Sequence, residues 1–388
     1  MNFTKESNGA FFSESFWLPQ NVTWEDFNRF EDKDGHRMPK IQDVFVAWKL
    51  VPFVLLSKFV VEKFVAPKLG KWAGIKDELR EKPKHVEILE KAHRANPWGR
   101  WSNQAISALT KQLDWTDEQI HEWFKARRKY ATETTLEKFS ESVWRAMFFI
   151  CIMVYGIYCH WSKEWVWDLK LCYENFPQPV TEDLYWYFII SLANYSAWNI
   201  SQFWDVQRKY YRILLFHHLL AVALLVGQWV AGVHRMGLLI CTVHDVGDLL
   251  LEAIKCLKYL NLLKAKAWWL WIFTFINGGL WIATRNVILP FYLIPGIYRH
   301  APFGLLQSFP YSCFRGGACN ISSFAFNSNH ILVIMLSCLG ILHVYWTCLI
   351  FKISYLALIV GKLEDDTREV SDDESDGPKM KLKSTKEE

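Results

Sequence analysis

The chain has 388 residues, of which 51% are hydrophobic and 16% aromatic, with 21 Trp, a composition too apolar in blocks for an ordinary soluble enzyme. Its mean hydropathy is near zero because apolar stretches are averaged with highly charged ones, and a net charge of +4 gives no argument for a nucleic-acid partner. The pattern is that of an all-α polytopic membrane protein.

A window of about 20 residues, the length that crosses about 30 Å of hydrocarbon, finds seven candidate spans, near 41–61, 143–161, 184–204, 213–231, 236–254, 267–294 and 330–359. Residues 1–40 precede the first. That first span is the weakest, because Lys49 and Lys58 interrupt it and Pro52 is expected to kink it. An interfacial helix is its rival reading. No Arg-rich stretch with a small-residue cleavage site comes before it, so no removable signal peptide is expected.

Between the first two spans lies a charged block, 76–130. Pro83 precedes an amphipathic segment from Val86 to Ala95, Trp98 to Trp101 breaks it, Ser102 caps a second helix, and Thr116 begins a third over Asp117 to Tyr130. The run from Ile120 to Arg128 resembles the recognition helix of homeodomains, but Ala126 stands where that fold carries the Asn that contacts adenine. DNA binding is therefore not expected. Trp123 and Phe124 are expected to form the core of a small three-helix, homeobox-like insert, with Arg127, Arg128 and Lys129 facing anionic lipid heads or a partner.

Lys and Arg concentrate in 62–142, in Arg208-Lys209-Tyr210-Tyr211-Arg212, and in the loop with Lys255, Lys258, Lys264 and Lys266, whereas the alternate loops are poor in charge. Those segments are expected to be cytosolic, which puts the N-terminus in the lumen and the acidic tail, 361–388, in the cytosol. The sequons at Asn2 and Asn21 then fall on the luminal side, and that at Asn320 falls in a luminal loop, as glycosylation requires. Those at Asn194 and Asn199 lie inside a span and read as polar packing residues. Among nine Cys, Cys151, Cys241, Cys338 and Cys348 lie in apolar runs and read as small packing residues. Cys313 and Cys319 share the luminal loop, where a disulfide is expected, with two free thiols as the alternative. Ser371 and Ser375 precede acids in the tail and are candidate phosphorylation sites in an otherwise disordered run.

The fourth and fifth spans carry the chemistry. His217 and His218 lie about 8 Å inside the cytosolic boundary on one, and Asp248 about 10 Å from the same boundary on the other. His244, Asp248 and Glu252 repeat every four residues and share a helical face, while Asp245 is rotated by about 100°. Burying so many ionisable groups without use is costly, so catalysis or transport is expected. The chemistry available is acid and base: imidazole accepts a proton and a carboxylate fixes its tautomer. A zinc or iron site is the chemical rival, but neither His-x-x-His-His nor His-Glu-x-x-His occurs. In the sixth span Arg285 and Asn286 are expected to face inward, Arg285 pairing with Asp245, Asp248 or Glu252.

The stretch from Arg208 to His218, then Arg235-Met236-Gly237, then His244-Asp245-Val246-Gly247-Asp248 through Glu252 to Lys255 resembles the Lag motif of ceramide synthases. With the homeobox-like insert, seven spans and an acidic tail, the resemblance covers roughly 40–370. It implies a multi-pass protein of the endoplasmic reticulum membrane with about seven helices, six of them in a bundle of the TLC type over 141–360. It also implies an N-acyltransferase that joins a fatty acyl group from acyl-CoA to a sphingoid base, with no permanently bound cofactor. His217 and His218 would be the essential pair, and His244, Asp245 and Asp248 would complete the site. Many members carry an acidic residue where Tyr210 stands, so a polar role at that position is not carried over.

Acyl transfer to an amine needs a proton acceptor, a held thioester and donors for the oxyanion. One histidine serves either as general base or as the nucleophile that forms a transient acyl-imidazole. Asp245 or Asp248 would orient it. Arg208, Lys209, Arg212, Lys255 and Lys258 surround the mouth and are candidates for the CoA phosphates, or they simply mark the cytosolic interface. Membrane lipids are the expected surroundings, and a homo- or heterodimer is compatible with the pattern. A lipid sensor or transporter without chemistry is the alternative function, and a membrane-tethered transcription factor a third class.

Overall fold

The computed structural model describes residues 13–19, 21–28, 36–76, 80–96, 101–206, 208–262, 268–302 and 327–361. Two short helices, α1 (Glu14–Trp17) and α2 (Trp24–Asn28), and the strand β1 (His36–Arg37) precede the first long helix. β1 pairs antiparallel with β2 (Val180–Thr181), setting His36 opposite Thr181 and Arg37 opposite Val180. Arg37 also stacks its guanidinium over Tyr185 at 4.1 Å, a cation–π contact that holds the start of the chain on the bundle. Asn21 is exposed between α1 and α2. Asn2, Asn320, Cys313, Cys319, Ser371 and Ser375 lie outside the described residues.

Helix α3 (Ile41–Val60) runs through Pro52 and continues as a π-helical turn, Val61–Val65, into α4 (Ala66–Trp72). The proline does not end it, as membrane helices tolerate when neighbouring groups satisfy the freed backbone. The combined helix Ile41–Trp72 is long and apolar enough to cross a membrane. Lys58, one of the interrupting charges, is buried and bonded to Asp205 and Glu62, both at 2.7 Å.

The insert consists of α5 (Glu87–Ala95), α6 (Asn103–Leu113) and α7 (Asp117–Ala131). Ser102 caps α6 by accepting from the Ala105 amide, and Thr116 and Gln119 form a reciprocal capping box at the start of α7. Leu89, Ile106, Leu109, Ile120, Trp123 and Phe124 make its core, and the Trp123 indole donates to the Lys84 carbonyl at 2.7 Å. Of the three basic residues expected to face outward, Lys129 alone is exposed. Arg127 turns onto Glu90 at 2.9 Å and Arg128 is buried, because the inward stripe of α7 includes both. The hydrogen bond from Arg127 holds the Glu90 carboxyl below its ordinary range, and burial lowers His93.

Long helices follow: α8 (Thr135–Trp161), α9 (Glu182–Ser201), α10 (Tyr211–Val230), α11 (His234–Tyr259), α12 (Trp268–Trp281) continued by a π-helical stretch Ile282–Leu293 and α13 (Ile294–His300), and α14 (Ser328–Tyr355). Helices thus occupy all seven expected positions. Five satisfy the length and apolarity needed to span, and α9 and α11 do not. Both carry buried polar groups, among them Ser191, Asn194 and Ser196 on α9 and His244, Asp245 and Glu252 on α11. Interior helices can be polar because their partners are protein rather than lipid. Asn194 is fully buried, as a packing residue should be. Cys241 is also buried, but Cys151 and Cys348 are exposed on outward faces and do not pack in the core.

A buried ionic network ties α3, α8 and the segment between α9 and α10 together. Glu141 of α8 accepts from Arg208 at 2.6 Å, from Arg145 at 3.0 Å and from the Val206 amide at 3.0 Å. Asp205 accepts from Lys58 at 2.7 Å and Ser201 at 2.8 Å, with Arg145 at 3.6 Å. Opposite charges so disposed offset the desolvation of each ion, and they fix α3 and α8 against the turn that leads into α10.

Candidate active site

Side chains from α8, α9, α10, α11, the α12–α13 helix and α14 enclose two cavities. One is a vestibule of about 320 Å³ whose walls include Arg145, Arg208, Tyr210, Lys255 and Lys258. The other is a chamber of about 110 Å³ lined chiefly by apolar groups such as Leu224, Leu225, Ile240, Leu332, Leu336 and Leu339. Tyr195, His217, Asp248 and Arg285 line both. They form a collar where a charged mouth meets an apolar interior.

The adjacent histidines face this junction in different ways. His217 lines both cavities, and the ring centroid of His218 lies 5.5 Å from its own. His218 is buried beside Trp198, and its Nδ1 donates to Gln202 Oε1 at 3.1 Å. Gln202 is itself oriented by donating Nε2 to the Tyr211 carbonyl at 3.2 Å. That arrangement places the His218 proton on Nδ1 and leaves Nε2 as the basic lone pair. Trp198 in turn receives the Arg145 guanidinium at 5.6 Å.

On α11 the carboxylates have separate tasks. Asp245 accepts from the hydroxyls of Tyr187 at 3.1 Å and Tyr195 at 3.2 Å, so it sets the tyrosine of the collar. Asp248 accepts from Arg285 at 2.7 Å, and the same guanidinium nitrogen donates to the His244 carbonyl at 2.8 Å. Of the three partners open to Arg285, the structure selects Asp248. Trp281 stacks under the guanidinium at 4.0 Å, and Gly247 leaves room for it. The side chain that orients His218 is thus Gln202, at the end of α9, while Asp245 and Asp248 are engaged by the two tyrosines and by Arg285. Asn286 also turns inward and donates to Thr347 at 2.7 Å.

His244 donates Nδ1 to the Ile240 carbonyl at 2.7 Å, and its ring lies 4.9 Å from that of His343. His343 is 1% exposed and stands 6.1 Å from His217 and 6.3 Å from Trp281. It joins the site from α14 and is not among the residues expected from sequence. One signal pointed to it: an ionisable residue inside an apolar span, the same criterion that singled out α10 and α11. No group of His, Cys, Asp and Glu able to hold a metal is found among the described residues.

The basic residues divide. Lys255 and Lys258 line the vestibule, and Arg208 lines it while bonded to Glu141. Lys209 and Arg212 are exposed and outside the set that walls either cavity. Tyr210 packs edge-on against Tyr345 at 6.0 Å and Trp346 at 6.1 Å, an aromatic role that suits the departure from an acidic residue there.

The sequence itself matches known proteins along most of its length. Residues 138–352, more than half of the chain, match the TLC domain family. Human ceramide synthase 5 is 34% identical over 372 residues, covering 95% of this chain and 88% of the relative. Human ceramide synthase 4 is 31% identical, covering 93% and 85% respectively, and human ceramide synthase 3 is 30% identical, covering 92% and 86%. With its cavities, histidines and Lag-type motif held on helices inside the matched region, the chain belongs to the ceramide synthase family of TLC-domain proteins.

Proposed function

We propose that this protein is a ceramide synthase, a sphingoid-base N-acyltransferase that takes its fatty acyl group from acyl-CoA. The observation that carries the reading is the position of His217 at the junction of the two cavities. A thioester held at the collar sends its chain into the apolar chamber and its CoA toward Lys255 and Lys258, whose cations suit phosphates. The amine attacks the carbonyl carbon, the C–N bond forms, the C–S bond breaks, and the departing thiolate takes a proton. A base that enters as an ammonium ion releases one further proton, and neutral imidazole at His217 or His218 is the acceptor. In the second route His217 attacks first and the amine opens the acyl-imidazole. The Arg285 guanidinium, fixed by Asp248, sits where positive charge stabilises a developing oxyanion. Asp245 acts through Tyr195, and His244 and His343 complete the ring of imidazoles.

The test is N-acyl product formation from acyl-CoA and sphinganine by the purified protein in detergent. Loss of product in His217→Ala and His218→Ala is expected, and unchanged turnover in both refutes the reading. Mass analysis after acyl-CoA alone distinguishes the two routes, since only the nucleophilic one leaves an acyl group on histidine.

The rest of the assignment follows the same membrane logic: residence in the endoplasmic reticulum, seven spans, a luminal N-terminus and a cytosolic tail. Exposure of Asn21 supports glycosylation there, and Asn21→Gln should remove one glycan from the mass. A Cys313–Cys319 disulfide would leave both thiols unalkylated without reductant.

A further inference from the structure

Two acceptors on residues that line the vestibule lack a donor among the described residues. Glu252 is 6% exposed; its Oε1 accepts from Lys255 at 3.1 Å, while Oε2 is buried with no partner among the described residues. Asn277 of α12 is 5% exposed, and its Oδ1 is likewise buried and unpartnered among the described residues. Both line the same cavity, with Thr274 and Ser354. Buried acceptors are almost always satisfied, so a pair of open ones on residues that line a single cavity calls for a ligand that brings donors.

Their depth fits the collar. Glu252 lies one turn, about 6 Å, from Asp248 toward the vestibule mouth and on the same face of α11. Asn277 lies one turn from Trp281, which edges His343 at 6.3 Å. A ligand seated on both therefore extends its neighbouring atoms toward His217 and His218, which line the same cavity. Lys255 and Lys258 supply the cations of this mouth, so an anionic group goes to them and a cationic one to Glu252.

We propose that Glu252 and Asn277 form the seat of a cationic amino alcohol, Glu252 Oε2 accepting from its ammonium and Asn277 Oδ1 from an adjacent hydroxyl. The inference rests on the acyltransferase reading and names the group within the sphingoid base that the protein recognises. Binding at Glu252 holds the ammonium until one proton passes to a collar imidazole, and the freed amine then faces the acyl carbon.

The experiment compares the wild-type protein with Glu252→Gln and Asn277→Leu, both close to the native shape. KM is measured for sphinganine, for its analogue lacking the C1 hydroxyl, for octadecylamine, and for acyl-CoA. Glu252→Gln should raise KM for every amine by about 10- to 100-fold while KM for acyl-CoA stays within about twofold. Asn277→Leu should shrink the preference for sphinganine over octadecylamine. Unchanged amine values, or an equal rise for acyl-CoA, overturn the proposal, the latter pointing to the donor's own amides as the occupant. Where a variant makes no product, the thermal stabilisation produced by sphinganine is read beside that produced by acyl-CoA. Loss of the first alone supports the seat, and retention of both or loss of both overturns it. Absence of product from the wild-type protein would sink the acyltransferase reading instead, and stabilisation by sphinganine would still report on the seat.

Discussion

Substituting Gly247 with Ala should cripple the collar without touching a charged residue. A Cβ at Gly247 falls 2.2 Å from Arg285 Nη1 and 3.2 Å from its Cζ, whereas ordinary contact begins at 3.4 Å. The guanidinium has to retreat by about 1 Å. That movement strains the two bonds that Nη2 makes, to Asp248 at 2.7 Å and to the His244 carbonyl at 2.8 Å, because Nη2 itself stands only 3.6 Å from the added Cβ and is tied on both sides. Hydrogen bonds to charged groups contribute about 1.5–3 kcal/mol each, and losing the order of 3 kcal/mol of transition-state stabilisation lowers turnover by about 150-fold. The assay is N-acyl product formation from acyl-CoA and sphinganine in detergent, run beside thermal unfolding of the same preparation. Arg285→Lys, which keeps the charge but loses the fork, should fall in the same direction. Turnover within about twofold of wild type in a normally folded Gly247→Ala protein would refute the account, because an Arg285 free to shift has no fixed role in the collar.

Glu141→Gln should lower the melting temperature sharply, since it leaves Arg145 and Arg208 buried without their shared anion, a change that costs about 3–5 kcal/mol; an unchanged melting temperature argues that the network is dispensable. His343→Leu, similar in bulk, should reduce kcat by about 100-fold if protons pass through the imidazole ring, and steady-state kinetics with KM for acyl-CoA as the internal control would reveal it. The insert should loosen in acid. His93 is lowered by burial, so its contribution to stability is complete above its ordinary value of about 6.5 and is lost as pH falls toward the depressed folded value. Glu90, lowered by Arg127, adds a second loss at lower pH, below the ordinary carboxylate range. Hydrogen exchange in α5, followed from about pH 7 to about pH 3 and corrected for intrinsic rates, should accelerate, and His93→Leu should remove the part that begins near pH 6.

The sequence by itself determined the helical positions, because blocks of apolar residues long enough to cross hydrocarbon stand out from charged connections. It also determined the caps of the insert, since Ser102 and Thr116 are local signals that need no tertiary context, and the His217, His244 and Asp248 constellation, since ionisable groups in apolar runs are conspicuous. Tertiary structure decided what those groups do to one another. Asp245 meets Tyr187 and Tyr195 rather than a histidine, Arg285 meets Asp248, and Gln202 sets the His218 tautomer. Each of these contacts joins residues distant in sequence or across a turn, where helical periodicity gives a face but not the neighbour that faces it. Arg208 shows the same limit: its charge was legible, but its burial against Glu141 depends on how α8 packs beside the turn before α10. His343 entered the site from the last helix for that reason as well, since a lone histidine in an apolar run acquires its meaning only from the rings packed around it.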